Sequence, residues 1–302
     1  MKGRRAICVS RDEGVRRVVG GALEADGFLV EYATSVEAIT ADAVAVIVDR
    51  ATRQAEGSAL SALPLPVIVV GDDLDDDGLI TLMLESPVSH HVNDPNDRDL
   101  AITSEKLASG DVFGLEKYLA PAAHVQERVL ATDADKRHAV DEVCAWAESV
   151  GARRPVVHRI RGVVDELLMN ALREGAEAAR SSAPSIGVGA DSIRGAVLRF
   201  GCDNDMLAVS VGDRAGTLRQ HDVMEHVRRA RAERGAPKTV SDSGGAGLGL
   251  YLVLANVASL VVNVAPSQQT EVVCLFDLAK PTKSGAVSAG ARSLHVFQKS
   301  AS

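Results

Sequence analysis

Between Arg161 and Gly175 the chain reads RGVVDELLMNALREG, with apolar residues at Val163, Val164, Leu167, Leu168, Ala171 and Leu172. That is helical spacing, and it predicts an amphipathic helix with one buried face. Glu166 and Asn170 stand four residues apart, so they project together from the flank of that face. An Asn carbonyl is a natural Mg²⁺ ligand, and a Glu one turn earlier can orient or deprotonate an attacking hydroxyl or water. Read alone, the segment is equally an ordinary amphipathic helix.

Two further segments lie downstream. In LAVSVGD, alternation along a strand turns Leu207, Val209, Val211 and Asp213 to one face, so that Asp213 ends an apolar wall. The run continues Arg214, Ala215, Gly216, Thr217. A strand-end Asp read alone is capping or turn chemistry. GGAGLGL then places Gly245, Gly247 and Gly249 at alternate positions before an apolar helix. Glycines allow positive φ and close approach of backbone amides and a helix N-terminus to an anion. The P-loop lysine is missing and no Val-rich strand leads into the glycines, which excludes the P-loop and Rossmann readings.

In order and spacing, DELLMNAL, VSVGDRAGT and GGAGLGL together resemble the ATP-binding signature of the GHKL (Bergerat-fold) ATPases. The resemblance implies that Asp213 accepts a hydrogen bond from the adenine amino group, with Gly216 and Thr217 below the base. It implies that Asn170 holds Mg²⁺ beside the triphosphate, and that Arg173, Gly245, Gly247, Leu248 and Gly249 meet phosphate oxygens. Glu166 takes the catalytic role. The family usually continues D-x-G-x-G after the aspartate, whereas here the glycine count is reduced and shifted. The intervening stretch, LRQHDVMEHVRRARAERGAPKTVSDS, has the length and polarity of an ATP lid. Its Arg228, Arg229, Arg231, Arg234 and Lys238 either close on the γ-phosphate or form a solvated helix face, with Lys238 and Arg234 the candidates for phosphate.

Residues 125–280 alternate longer helices with antiparallel strands. QERVLAT reads as a strand, AVDEVCAWAESVG as a helix ending at Gly151, and IRGAVLRFGCDNDMLAVSVGD as a hairpin turning through Gly201, Asp203, Asn204 and Asp205. GLGLYLVLANVASL reads as a helix, followed by the strands VVNVAP and TEVVCLFDL. Helices on one side of a mixed sheet predict an α+β sandwich, the Bergerat fold by resemblance. Residues 281–302 read as a loop-like tail in which SLHVF is a candidate edge strand.

The first 105 residues differ. RAICVS, FLVEYA, AVAVIV and PVIVV alternate with helical patterns, which predicts a doubly wound parallel α/β sheet. This order resembles a response-regulator receiver domain with a degenerate site. Asp49 sits where the family's phospho-acceptor would be, but Arg11 precedes Asp12 where a second acid belongs. Gly71 replaces the hydroxyl residue and Asp94 replaces the lysine. A missing lysine removes the cation that stabilises phosphoryl oxygens. The domain therefore reads as a pseudo-receiver, with Asp49 either a vestigial acceptor or a strand-end cap. Residues 106–124, KLASGDVFGLEKYLAPAAH, read as a linker helix too short for a two-helix dimerisation module. His138 lies inside the first helix expected of the ATPase domain, which disfavours it as a phosphorylation site.

Composition narrows the function classes. With 33 basic and 41 acidic side chains the net charge is −8, which argues against direct nucleic-acid binding and attraction to anionic membranes. No apolar run approaches the roughly 18 residues of a membrane span, and four scattered cysteines suggest reduced thiols in a cytoplasmic protein. GDDLDDDG (71–78) reads as a solvated loop. Within the superfamily, the Glu four residues before Asn170 and the lack of a dimerisation module look like the anti-sigma-factor serine kinases. The function expected is an ATP- and Mg-dependent transfer of the γ-phosphoryl group to a partner protein in a signalling pathway. The alternatives are a non-catalytic ATP-dependent switch and a histidine-kinase-like enzyme acting on a separate acceptor. A homodimer is compatible with both domain types.

Overall fold

In the computed structural model the described residues are 4–39, 42–71, 74, 76–84, 88–95, 98–181, 195–216, 218, 224–225, 228, 246–278 and 293–299. The chain divides into two compact units: Met1–Val112 with Arg292–Val296, and Phe113–Ala291 with Phe297–Ser302.

The first unit contains strands β1 (Arg5–Val9), β2 (Leu29–Ala33), β3 (Ala45–Asp49), β4 (Val67–Val70) and β5 (Val88–Val92), and helices α1 (Glu13–Ala25), α2 (Arg50–Ser61), α3 (Asp76–Leu84) and α4 (Arg98–Ser109). The strands pair in parallel in the order 2-1-3-4-5. This is a common order for doubly wound α/β sheets. Side-chain alternation explains the layering. Ala6, Cys8, Ala45, Ile47, Ile68 and Val70 form one buried cluster with Val19 and Leu23 of α1 and Leu100 of α4. Their sequence neighbours Ile7, Val9, Val46, Val48, Val67 and Val69 are buried as well, which explains the unbroken apolar runs.

The chain's last strand, β11 (Ser293–Gln298), joins this sheet antiparallel to β5, with Leu294 opposite His91 and His295 opposite His90. SLHVF thus forms a strand, but one paired with β5 and not the edge strand that the sequence suggested. The His90 and His295 rings lie 5.7 Å apart, and Thr103 Oγ1 meets His295 Nδ1 at 3.4 Å. Burial, followed by the nearby His295 and Lys106, holds His90 well below the ordinary histidine pKa.

The second unit contains β6 (Val125–Leu130), β7 (Ala196–Cys202), β8 (Met206–Asp213), β9 (Ser259–Ala265) and β10 (Gln269–Asp277), with α5 (Asp133–Ser149), α6 (Arg154–Ser181) and α7 (Ala246–Leu254). Its strands pair in the order 6-7-8-10-9, and each of these pairs is antiparallel. Helix α5 starts in a capping box: Thr132 Oγ1 accepts from the Asp135 amide at 3.2 Å, and the Asp135 carboxylate accepts from the Thr132 amide at 3.0 Å. It ends before Gly151, whose φ of +93° no other residue adopts readily. Trp146 of α5 stacks on Phe200 of β7 with centroids 4.8 Å apart. Along α6, Val163, Val164, Leu167, Leu168 and Ala171 are buried as their spacing predicts. Leu172 is only half-buried.

Two sequence readings are corrected. Residues 106–124 do not form one linker helix. Lys106–Ser109 complete α4, and only a single turn, Leu115–Tyr118, follows. Instead this stretch is stitched to the sheet of the second unit. The buried Glu271 carboxylate accepts from the Gly114 amide and from Asn263 Nδ2, each at 2.9 Å, and Asp203 accepts from the Ala120 amide at 2.9 Å. The helix expected over GLGLYLVLANVASL stops at Leu254, because Ser259 and Leu260 belong to β9.

Candidate functional site

Helix α6 brings Glu166 and Asn170 into direct contact, with Asn170 Nδ2 donating to Glu166 Oε1 at 2.9 Å. The bond fixes which end of the amide faces which way. Its oxygen, the atom able to ligate a cation, turns from Glu166 toward Arg173, whose Nη2 donates to Oδ1 at 3.5 Å. Three of the predicted residues therefore form one chain of side chains along two turns of the helix.

Burial raises the Glu166 carboxyl above its ordinary pKa, and the Asn170 hydrogen bond pulls it down. Of the charges around it, Asp165 pushes it up, while Arg173 and Lys136 pull it down. Lys136 and Asp165 were not singled out from sequence. Lys136 Nζ on α5 pairs with Asp165 Oδ1 at 2.9 Å, tying the two helices together beside Glu166. The pair spans 29 positions, and nothing in the local pattern of either residue marks it. A carboxyl group with a raised pKa, hydrogen-bonded to a metal-ligating residue type, is equipped to accept a proton from a hydroxyl.

Asp213 ends β8 and is 8% exposed. Its Oδ1 accepts from the amides of Ala215 (2.8 Å) and Gly216 (3.4 Å), so the carboxylate organises the loop that follows. These two short-range amide bonds are the turn chemistry that a strand-end aspartate supplies. Gly216 has φ +59°. A Cβ there would lie 2.4 Å from the Ala265 carbonyl oxygen, 2.6 Å from the Gln268 nitrogen and 2.8 Å from the Gln269 nitrogen. Gly216 also accepts from the Ser267 amide at 3.1 Å. The glycine is thus needed where the loop presses on the β9–β10 turn, a packing role that the sequence reading did not give it.

In α7, Gly249 is buried against Glu166. Gly247 and Leu248 lie in the same helix by backbone. Thr217, Arg229, Arg231, Arg234, Lys238 and Gly245 fall outside the described residues. Arg228 is described, and it engages Glu225 through two contacts of 2.7 and 2.8 Å, as on a solvated helix face. Helix α6 packs on both α7 and β8, so the element carrying Glu166 and Asn170 touches the elements carrying Gly249 and Asp213.

The other candidates lie apart from this group in the chain's organisation. Asp49 N-caps α2, accepting from the Thr52 amide at 2.6 Å, and its other oxygen accepts from the buried Ser10 hydroxyl. Asp12 caps α1 in the same way through the amides of Gly14 and Val15. Both acids have capping work in the structure. An open concavity beside α2 is lined by Ser35, Glu37, Arg53 and Glu56. Glu56 there serves the Val36 amide at 2.6 Å, which fixes a local turn. Among the described residues no helix is long and apolar enough to cross a membrane. No family model matches the chain, and the search of curated proteins found no match.

Proposed function

We propose that the second unit is an ATP- and Mg²⁺-binding domain of the GHKL type that transfers the γ-phosphoryl group to a hydroxyl of a partner protein in a cytoplasmic signalling pathway. The reading rests on one observation above the others: Gly249 of the glycine motif packs directly on Glu166, which is bonded to Asn170. Two motifs whose contacting residues lie 83 positions apart in sequence thereby meet at a carboxylate bonded to an amide of a metal-ligating type. The donor set suits the cofactor. Asn170 Oδ1 would hold Mg²⁺, the Asp213 carboxylate would accept from the adenine amino group, and Arg173 would meet phosphate oxygens.

The bound nucleotide and its metal supply an activated phosphoryl group with its charge neutralised. The chain's own contribution is positional and acid–base. Glu166 takes the proton from the acceptor Ser or Thr hydroxyl as its oxygen bonds to phosphorus and the bond to the ADP oxygen breaks. Asn170, whose amide nitrogen is held by Glu166, would offer its oxygen as the ligand. The first unit is read as a pseudo-receiver that docks a partner, with Asp49 a cap. Incubation with γ-labelled ATP and candidate partners tests the proposal. Label on Ser or Thr that is lost in Glu166→Gln supports it. Acid-labile label on His supports the histidine-kinase alternative, and absence of label with retained ATP binding supports the switch.

A further inference from the structure

We propose that Gly249 is a positioning residue for Glu166: the missing side chain on α7 creates the slot that holds this carboxylate against Asn170. The inference deepens the nucleotide reading, which supplies the role of Glu166, but its geometry stands on contacts within the second unit alone. A Cβ built at Gly249 would lie 1.6 Å from Glu166 Oε1, 1.9 Å from Cδ and 2.6 Å from Cγ. Because Cγ is among the blocked atoms, rotating the terminal carboxylate does not clear the overlap. The whole side chain has to leave through a change at χ1. On leaving, it gives up the 2.9 Å bond to Asn170 Nδ2.

Helix α7 has an intrinsic reason to avoid glycine, which after proline is the poorest helix former. Gly162 on α6 provides the contrast, since a Cβ there meets nothing within 4 Å. Gly249 is buried, and the space its Cβ would take is filled by a charged group from another helix. Losing the slot would remove the Glu166 bond from the Asn170 amide and leave only the 3.5 Å contact from Arg173 to orient its oxygen. Gly249 thus acts on the reaction through Glu166, whereas the sequence motif alone suggests close approach to phosphate.

The two roles separate in a double-mutant cycle on the full chain: wild type, Gly249→Ala, Glu166→Ala and the double variant. Thermal unfolding is followed through Trp146, and the Asn170 side-chain amide resonances are followed by ¹⁵N NMR in wild type and Gly249→Ala. The slot predicts that Gly249→Ala lowers the unfolding midpoint in the wild-type background. In the Glu166→Ala background it raises the midpoint by about 2 °C or more, as alanine improves the helix. The Asn170 amide resonances should shift in Gly249→Ala, because the bond to Glu166 is lost. With a fluorescent ATP analogue, any loss of affinity caused by Gly249→Ala should vanish once Glu166 is alanine. Equal effects of Gly249→Ala in both backgrounds, or unmoved Asn170 amide resonances, overturn the proposal. Failure of the wild type to bind the analogue removes the nucleotide reading, while the unfolding cycle and the Asn170 resonances still decide the slot.

Discussion

Gly216→Ala probes the loop that presents Asp213. Its φ of +59° lies in the left-handed region, where an L side chain costs roughly 1–2 kcal/mol. The new Cβ would also stand 2.4 to 2.8 Å from three backbone atoms of the β9–β10 turn. Backbone cannot rotate aside, and overpacking of this kind costs about 1–3 kcal/mol. The sum, about 2–5 kcal/mol, is a large part of the roughly 5–15 kcal/mol that holds a domain folded. Urea unfolding followed by tryptophan fluorescence reports on the right unit, because the chain's single tryptophan, Trp146, stacks on Phe200 in the second one. The midpoint should fall with little change in slope. Gly162→Ala is the opposite-sign control, an exposed helix position open to a Cβ, where alanine should stabilise by about 0.5–1 kcal/mol. A Gly216→Ala protein within about 0.5 kcal/mol of wild type would refute the packing role of this glycine.

Three further outcomes follow from the same geometry. Asp49→Ala should destabilise the first unit by about 2 kcal/mol, combining a lost N-cap with a buried Ser10 hydroxyl deprived of its acceptor. Asp49→Asn, which can still cap, should cost clearly less by hydrogen exchange of α2. Because burial raises the Glu166 pKa in the folded state, its contribution to stability is fully present below the ordinary glutamate value and is lost as pH rises through the raised one. Glu166→Gln should therefore gain stability over wild type at pH 7 and little at pH 4, and a larger gain at pH 4 contradicts the assignment. Burial pushes Cys8 up to about 12 and raises Cys144, Cys202 and Cys274 as well, so native thiols should react with iodoacetamide at pH 7.5 far more slowly than unfolded ones. Rapid labelling of Cys8 or Cys274 in the native protein would contradict their buried placement.

Much of this architecture is legible in local periodicity. The Val-rich runs of the first 105 residues announce strands buried on both faces, and the spacing of Val163 through Ala171 announces the buried face of α6. Glu166 and Asn170 are visible for the same reason, since four-residue spacing on a helix is itself a spatial statement. What local pattern does not encode is the meeting of distant residues. The seating of Gly249 on Glu166, the Lys136–Asp165 pair and the hold of Glu271 on Gly114 join positions 29 to 157 residues apart. A glycine in a helix looks like a phosphate loop or a weak helix until the group occupying its missing side chain is seen. Likewise SLHVF reads as a strand, but only strand pairing reveals that its neighbour is β5, about 200 residues earlier.

The central claim is that Asp213 recognises an adenine. Titration of a fluorescent ATP analogue with Mg²⁺ against wild type and Asp213→Asn tests it most directly. Asn retains an oxygen for the amides of Ala215 and Gly216, so the loop keeps its hydrogen bonds, but it replaces the other carboxylate oxygen with a donor. Losing a charge-assisted bond of about 1.5–3 kcal/mol should weaken the analogue roughly 10- to 150-fold. Equal affinity of the two proteins, or no binding by either, contradicts the account.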